Sequence, residues 1–172
     1  MIIILNGSVG SGKSTVSEEL QVLFDKSVML DGDYIGLIHP FEIYDDARIE
    51  YLYKTLLLLV EFHHSNGYND FVINYVFESP ESLKNLTNRL VTIIPEIHCF
   101  WLTCSEAEQK KRIQKRRRHD TEWELKRFSK LNAIQQRASE EGFIGERIQT
   151  DGLDCAEVAA HIMGRINAGR PS

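Results

Sequence analysis

The stretch Gly7-Ser8-Val9-Gly10-Ser11-Gly12-Lys13-Ser14 sets three glycines, a lysine and a hydroxyl in the spacing GxxxxGK[ST], and Thr15 follows. Glycines there let successive backbone N–H groups turn inward around an anion, a conformation that L side chains resist. A helix opening at the lysine adds its unpaired N-terminal N–H groups and the positive end of its dipole. Lys13 suits the β- and γ-phosphates of a nucleotide as a point charge, and the Ser14 hydroxyl suits Mg²⁺. The expectation is a loop that holds ATP and Mg²⁺ through Gly7, Ser8, Gly10, Ser11, Gly12, Lys13, Ser14 and Thr15.

Two further constellations carry charge. Asp31-Gly32-Asp33 closes a short apolar run, so two carboxylates fall at the end of a strand, where ligands of open α/β sheets collect. Phosphoryl transfer uses one carboxylate near Mg²⁺ and another to orient or deprotonate an acceptor hydroxyl. The same tripeptide also suits an ordinary strand-end turn. Lys110 to Arg118 holds seven basic residues and no acid. Arg112 and Arg116 share a helix face, so one can stack on a base while the others reach phosphate. A solvated helix face or a nucleic-acid patch is the alternative.

The elements that position these groups alternate along the chain. Ile2–Leu5, Ser27–Leu30, Asp70–Phe77, Glu96–Leu102 and Gly145–Thr150 read as strands. Helices are expected over Ser14–Phe24, Ile43–His64, from near Pro80, over Glu106–Arg118, from Thr121 to about Ser139, and over Asp154–Ala168. Thr121-Glu122-Trp123-Glu124 fits a capping box. Five strands alternating with helices point to an α/β fold, a parallel sheet covered on both faces.

Composition narrows the class. With 172 residues the chain suits one domain spanning 1–172. Lys plus Arg is 20 against 25 for Asp plus Glu; without the basic run, 13 basic residues face those 25 acids. An acidic body with one basic segment argues against broad nucleic-acid contact and for a localised phosphate clamp. Cys99, Cys104 and Cys155 form no CxxC pair and read as buried thiols of a reducing compartment. The longest leucine-rich run, Leu56 to Val60, falls far short of the roughly 20 apolar residues of a membrane span. A cytoplasmic monomer or dimer, with no membrane partner, is expected.

The phosphate loop and element order resemble the small P-loop kinases of the shikimate kinase, adenylylsulfate kinase and chloramphenicol phosphotransferase type. Met1–Gly7 resembles the opening of the last group, and Leu30-Asp31-Gly32-Asp33 the adenylylsulfate kinase strand end. The resemblance implies a three-layer P-loop NTPase fold with strand order 2-3-1-4-5 and a short lid over about 112–122. It implies Asp31 near Mg²⁺, Asp33 as the acceptor-facing base and Arg112 near adenine. An arginine among Arg116, Arg117 and Arg118 would close on phosphate, and Thr150 would lie in a loop bordering the adenine. Asn74 and Tyr75 stand where relatives often carry acids, so no Walker B carboxylate is evident. The arginine that follows Asp-Gly-Asp in adenylylsulfate kinases is absent.

An acceptor region is expected over about 33–65. Between Asp31 and Ile93 the only Lys or Arg residues are Arg48, Lys54, Lys84 and Arg89. Arg48 is the best clamp for an anionic acceptor, although Asp45 and Asp46 can be its local partners. Tyr34, Phe41, Tyr44, Tyr51, Tyr75 and Phe77 are expected mostly in the core. If two or three line the site, a nucleoside, sugar or antibiotic is favoured over a nucleoside monophosphate. Acceptor candidates are Asp33, Tyr34, Arg48 and Tyr75. The functional expectation is an enzyme that moves the ATP γ-phosphoryl group to a hydroxyl of a small molecule, with Lys13, Asp33, Arg116 and Arg117 catalytic. The alternatives are a nucleic-acid end kinase or other RNA-acting P-loop enzyme, and an ATP-binding regulator without transfer.

Overall fold

The computed structural model describes residues 1–40, 42–116 and 121–169. Strands β1 (Ile2–Asn6), β2 (Ser27–Asp31), β3 (Asp70–Asn74), β4 (Ile97–Thr103) and β5 (Glu146–Gln149) form one sheet in the order β2-β3-β1-β4-β5. Every pairing is parallel. Helices are α1 (Lys13–Gln21), α2 (Gly32–Ile35), α3 (Asp46–Ser65), α4 (Pro80–Leu90), α5 (Glu106–Lys115), α6 (Thr121–Glu141) and α7 (Cys155–Ala168).

β1 lies at the centre and all its residues are buried, which is why its sequence is a continuous apolar run rather than an alternating one. Ile2 and Ile4 join Phe71, Ile73 and the α3–α4 leucines on one face. Ile3 and Leu5 join Val16 and Leu20 of α1 and Val158 and Ile162 of α7 on the other. Trp101 of β4 packs with Ala138 of α6 and Ile144. Helices on both faces complete the three layers.

Element ends differ from expectation for local reasons. β3 stops at Asn74 instead of reaching Phe77 because β1 turns away after Asn6. Tyr75 N–H still reaches the Leu5 carbonyl at 3.1 Å, but Phe77 N–H bonds the Asn6 side chain at 2.9 Å. α1 ends at Gln21, where the Ser27 hydroxyl takes the Gln21 carbonyl at 2.8 Å. α3 begins at Asp46 rather than Ile43 because the Glu42 and Ile43 carbonyls are taken by the Arg48 guanidinium, each at 2.9 Å. The described part of the basic helix ends at Lys115, with Arg116 as its C-cap.

A buried amide pair links these layers. Asn6 Oδ1 accepts from Gly7 N at 2.7 Å, Phe77 N at 2.9 Å and Gln135 Nε2 at 2.8 Å, while Asn6 Nδ2 donates to the Ile144 carbonyl at 3.0 Å. Gln135 also donates to the Phe77 carbonyl at 3.0 Å and accepts from Trp101 Nε1 at 3.2 Å. Replacing Gln135, itself buried, with Leu leaves the Phe77 carbonyl and the Trp101 N–H without this partner. Each such loss costs about 1–3 kcal/mol, so Gln135→Leu is expected to destabilise the chain by roughly 2–3 kcal/mol. Urea unfolding checks this: the midpoint falls while the slope is kept.

Candidate active site

The start of α1 differs from the other helix starts whose caps are described. Asp31, Asp45, Ser79, Ser105 and Asp154 cap α2, α3, α4, α5 and α7 with side-chain oxygens. The α1 N-cap is Gly12, at φ +102°, which makes no side-chain cap. The first N–H groups of α1 are thereby left for a ligand, as an anion site requires. Lys13 is buried and bends back over the loop, donating from Nζ to the Gly7 carbonyl at 2.8 Å and the Ser8 carbonyl at 3.3 Å. Burial pushes its pKa below the ordinary lysine value, opposed by the nearby Asp33 and Asp31 carboxylates.

Helix α5 rests on the loop. Gly10 has φ +81°, and a Cβ there would stand 2.7 Å from Ile113 Cγ1, so both backbone angle and contact call for glycine. Gln109 Nε2 donates to Ser8 Oγ at 3.1 Å and, by a short contact, to the Val9 carbonyl, and its Oε1 accepts from Asn132 of α6 at 2.8 Å. One turn on, Arg112 donates to the Ser11 carbonyl at 3.3 Å, Thr150 Oγ1 and the Thr150 carbonyl at 2.9 Å each, and Glu108 at 3.1 Å. Arg112 and Thr150, expected beside the base, thus meet. They line a cavity of about 500 Å³ that runs from Ser11, Gly12 and Thr15 towards Leu153 and Val158.

Ser14 Oγ donates to Asp31 Oδ2 at 3.2 Å, and Asp31 Oδ1 accepts from the N–H groups of Asp33 and Tyr34 at 2.9 and 3.4 Å. A hydroxyl and a carboxylate oxygen beside the uncapped helix end fit Mg²⁺ delivered with a nucleotide, whose phosphates and waters supply the remaining hard donors. Asn74 pairs with Asp31 in the β2–β3 ladder, is fully buried, and neither atom of its amide has a hydrogen-bond partner. The strand position that lacks an acid is therefore closed to solvent.

Across Lys13 lies a second cavity, of about 560 Å³, whose lining includes Lys13, Ser14, Asp31, Asp33, Tyr34, Arg48 and Tyr75. All the acceptor candidates meet here. Arg116 lines both cavities. Arg117, Phe41 and residues 118–120 of the expected lid lie outside the described residues. Tyr51 is exposed away from the cavity and Phe77 is in the core. Arg48 is buried and donates to the carbonyls of Gly36, Glu42 and Ile43 and, at 3.5 Å, to the Tyr75 hydroxyl.

Other lining residues were missed. Glu124, read as part of a capping box, is 4% exposed and lines the second cavity, with Thr121 as the first residue of its helix. Trp123 and Arg127 of α6 and Glu78 after β3 line it too. The signal was present: Glu124, Phe128, Leu131, Gln135 and Ala138 repeat at helical spacing, so two polar residues sit in an otherwise apolar stripe.

Residues 3–138 match a protein family described as an AAA domain. The chain belongs to that family. No curated protein sequence matches this AAA-domain chain. Solved structures share its fold at low identity. A tunicamycin resistance protein of Deinococcus radiodurans is 17% identical over 96% of this chain and 94% of its own, with a TM-score of 0.66. Shikimate kinase of Acinetobacter baumannii in complex with shikimate is 18% identical over 99% and 95%, with a TM-score of 0.63. A gluconokinase of Sinorhizobium meliloti is 16% identical over 96% and 91%, with a TM-score of 0.62. The resemblance to small P-loop kinases and the 2-3-1-4-5 P-loop NTPase sheet are thus met. That fold implies nucleotide binding. Among the described residues, no helix is long and apolar enough to cross a membrane.

The Lys13 shift has a pH consequence. Its pKa in the folded chain lies below the ordinary 10.5, so the unfolded chain holds more protons between those two values. Folding gains stability as pH rises through that window. Compared with Lys13→Met, the nucleotide-free wild type is expected to gain urea stability as pH rises towards 10.5. An unchanged gap between the two proteins would contradict the burial-driven shift.

Proposed function

We propose that the chain is an ATP-dependent phosphotransferase that delivers the γ-phosphoryl group to a hydroxyl of a small molecule. The observation that carries this reading is a pair of cavities that share Arg116, one running from the phosphate loop to Thr150 and the other lined by Lys13 and Asp33.

In this reading ATP lies with its phosphates in the Gly7–Ser14 loop and its base beside Arg112 and Thr150. Lys13 exchanges its two loop carbonyls for phosphate oxygens. Mg²⁺ held by Ser14 and Asp31 would neutralise phosphate charge. Asp33 orients the acceptor hydroxyl and takes its proton as the new O–P bond forms and the bond to the β-phosphate oxygen breaks. Arg116, with Arg117 as a further candidate, faces the charge that develops on the transferring group. Asp31 is suited to the metal side because its carboxylate is fixed by Ser14 and two N–H groups.

Asp33→Asn keeps size and polarity but cannot take a proton. It is expected to lower kcat by about 10²–10⁴-fold with ATP affinity kept within a few-fold. Lys13→Ala is expected to weaken ATP binding as well. Single-turnover transfer from γ-labelled ATP, screened over nucleosides, sugars, shikimate-like acids and antibiotics, measures the first effect; calorimetry measures the second. Undiminished transfer by Asp33→Asn would remove Asp33 from the mechanism.

A further inference from the structure

This inference rests on the phosphotransferase reading and concerns what the second cavity admits. We infer that the acceptor is an uncharged alcohol carrying a flat ring, and that alcohols bearing a phosphate or carboxylate are turned away.

Three observations converge. First, aromatic rings from separate elements face one cavity: Tyr34 of α2, Tyr44 before α3 and Trp123 of α6. They stay 73%, 62% and 48% exposed, an arrangement that leaves apolar ring faces to water unless a ligand covers them. Tyr53 and Tyr75 continue the aromatic wall.

Second, the two arginines that an anionic acceptor would need are engaged by the protein. Arg48 is turned to three backbone carbonyls and the Tyr75 hydroxyl. Arg127 donates to Glu78 at 2.8 Å and to the Tyr44 hydroxyl at 3.5 Å, and its guanidinium lies over the rings of Tyr44 at 5.7 Å and Trp123 at 5.5 Å. Tyr44 in turn donates to Glu78 at 3.3 Å. Neither guanidinium offers the open two-donor edge that grips a carboxylate or phosphate. The Arg127 stack also stiffens the aromatic wall.

Third, carboxylates enter the cavity from several directions: Asp33 from α2, Glu78 from the segment after β3 and Glu124 from α6. Among the described residues, the other cations lining this cavity are Lys13 of the phosphate loop and Arg116, which the first cavity shares. An incoming anion meets these carboxylates among the described lining residues, whereas a neutral alcohol meets acceptors for its O–H groups.

The test fills the donor side with a non-hydrolysable ATP analogue and Mg²⁺, then titrates the protein by calorimetry with two matched sets of probes. Uridine is compared with uridine monophosphate and with ribose; phenylethanediol is compared with mandelate. At least one ring-bearing neutral probe is expected to bind about tenfold or more tightly than its anionic counterpart, and uridine more tightly than ribose. Trp123→Ala is expected to weaken the ring-bearing probe about tenfold and Trp123→Phe to restore most of it, a rescue that general misfolding would not give. Equal or tighter binding of the anionic partners, ribose matching uridine, or no binding of either neutral ring probe would overturn the inference. The failures separate cleanly. A phosphate-bearing alcohol that is phosphorylated overturns this inference and leaves the phosphotransferase reading standing, whereas failure of the ATP analogue to bind strikes at that reading itself.

Discussion

The Asn6 side chain, at the end of the central strand, is the constraint on which the arrangement of the site depends. Its single oxygen accepts from the first N–H of the phosphate loop, from the chain leaving β3 and from Gln135 of α6. In a fully buried position such a group must be satisfied or the fold loses several kcal/mol, so the three partners are held in one geometry. The loop that would take phosphate, the segment that carries Tyr75 and Glu78, and the helix that carries Glu124 and Arg127 are therefore positioned by one amide.

From that point the molecule divides its work. On one side, α5 is tied to the loop by Gln109 and Arg112, and Arg112 continues to Thr150 after β5. On the other, Arg48 gathers the carbonyls of Gly36, Glu42 and Ile43 into a wall, and the Arg127–Glu78–Tyr44 contacts bind that wall to α6. Arg116 lines both cavities and Lys13 the second of them. In the proposed reading such a frame serves transfer because the groups are arranged before substrate arrives.

Much of this was legible in sequence, and the reason is local. Gly12, Lys13 and Ser14 act through backbone angle, charge and hydroxyl at fixed spacing, and four of the five parallel strands announce themselves as short apolar runs, β5 being Glu-Arg-Ile-Gln. Asp31 and Asp33 were readable because a strand end is a local event. Gln109, Asn6, Gln135 and Glu124 were not, because each acts across a long sequence separation: the Asn6–Gln135 bond joins residues 129 apart. Arg48 was seen as a candidate clamp since charge is visible in sequence, while its engagement by backbone carbonyls is visible only in the folded chain. The absence of an acid at Asn74 was legible, but not its complete burial.

The central claim is that phosphoryl groups leave ATP for an alcohol. Phosphorus NMR of the wild-type chain with ATP, Mg²⁺ and the acceptor panel tests it most directly. The account predicts that the γ-phosphate resonance is replaced by that of a phosphomonoester, in step with the appearance of ADP and dependent on the acceptor. Conversion of ATP to ADP and inorganic phosphate alone, at a rate indifferent to every acceptor, would contradict it.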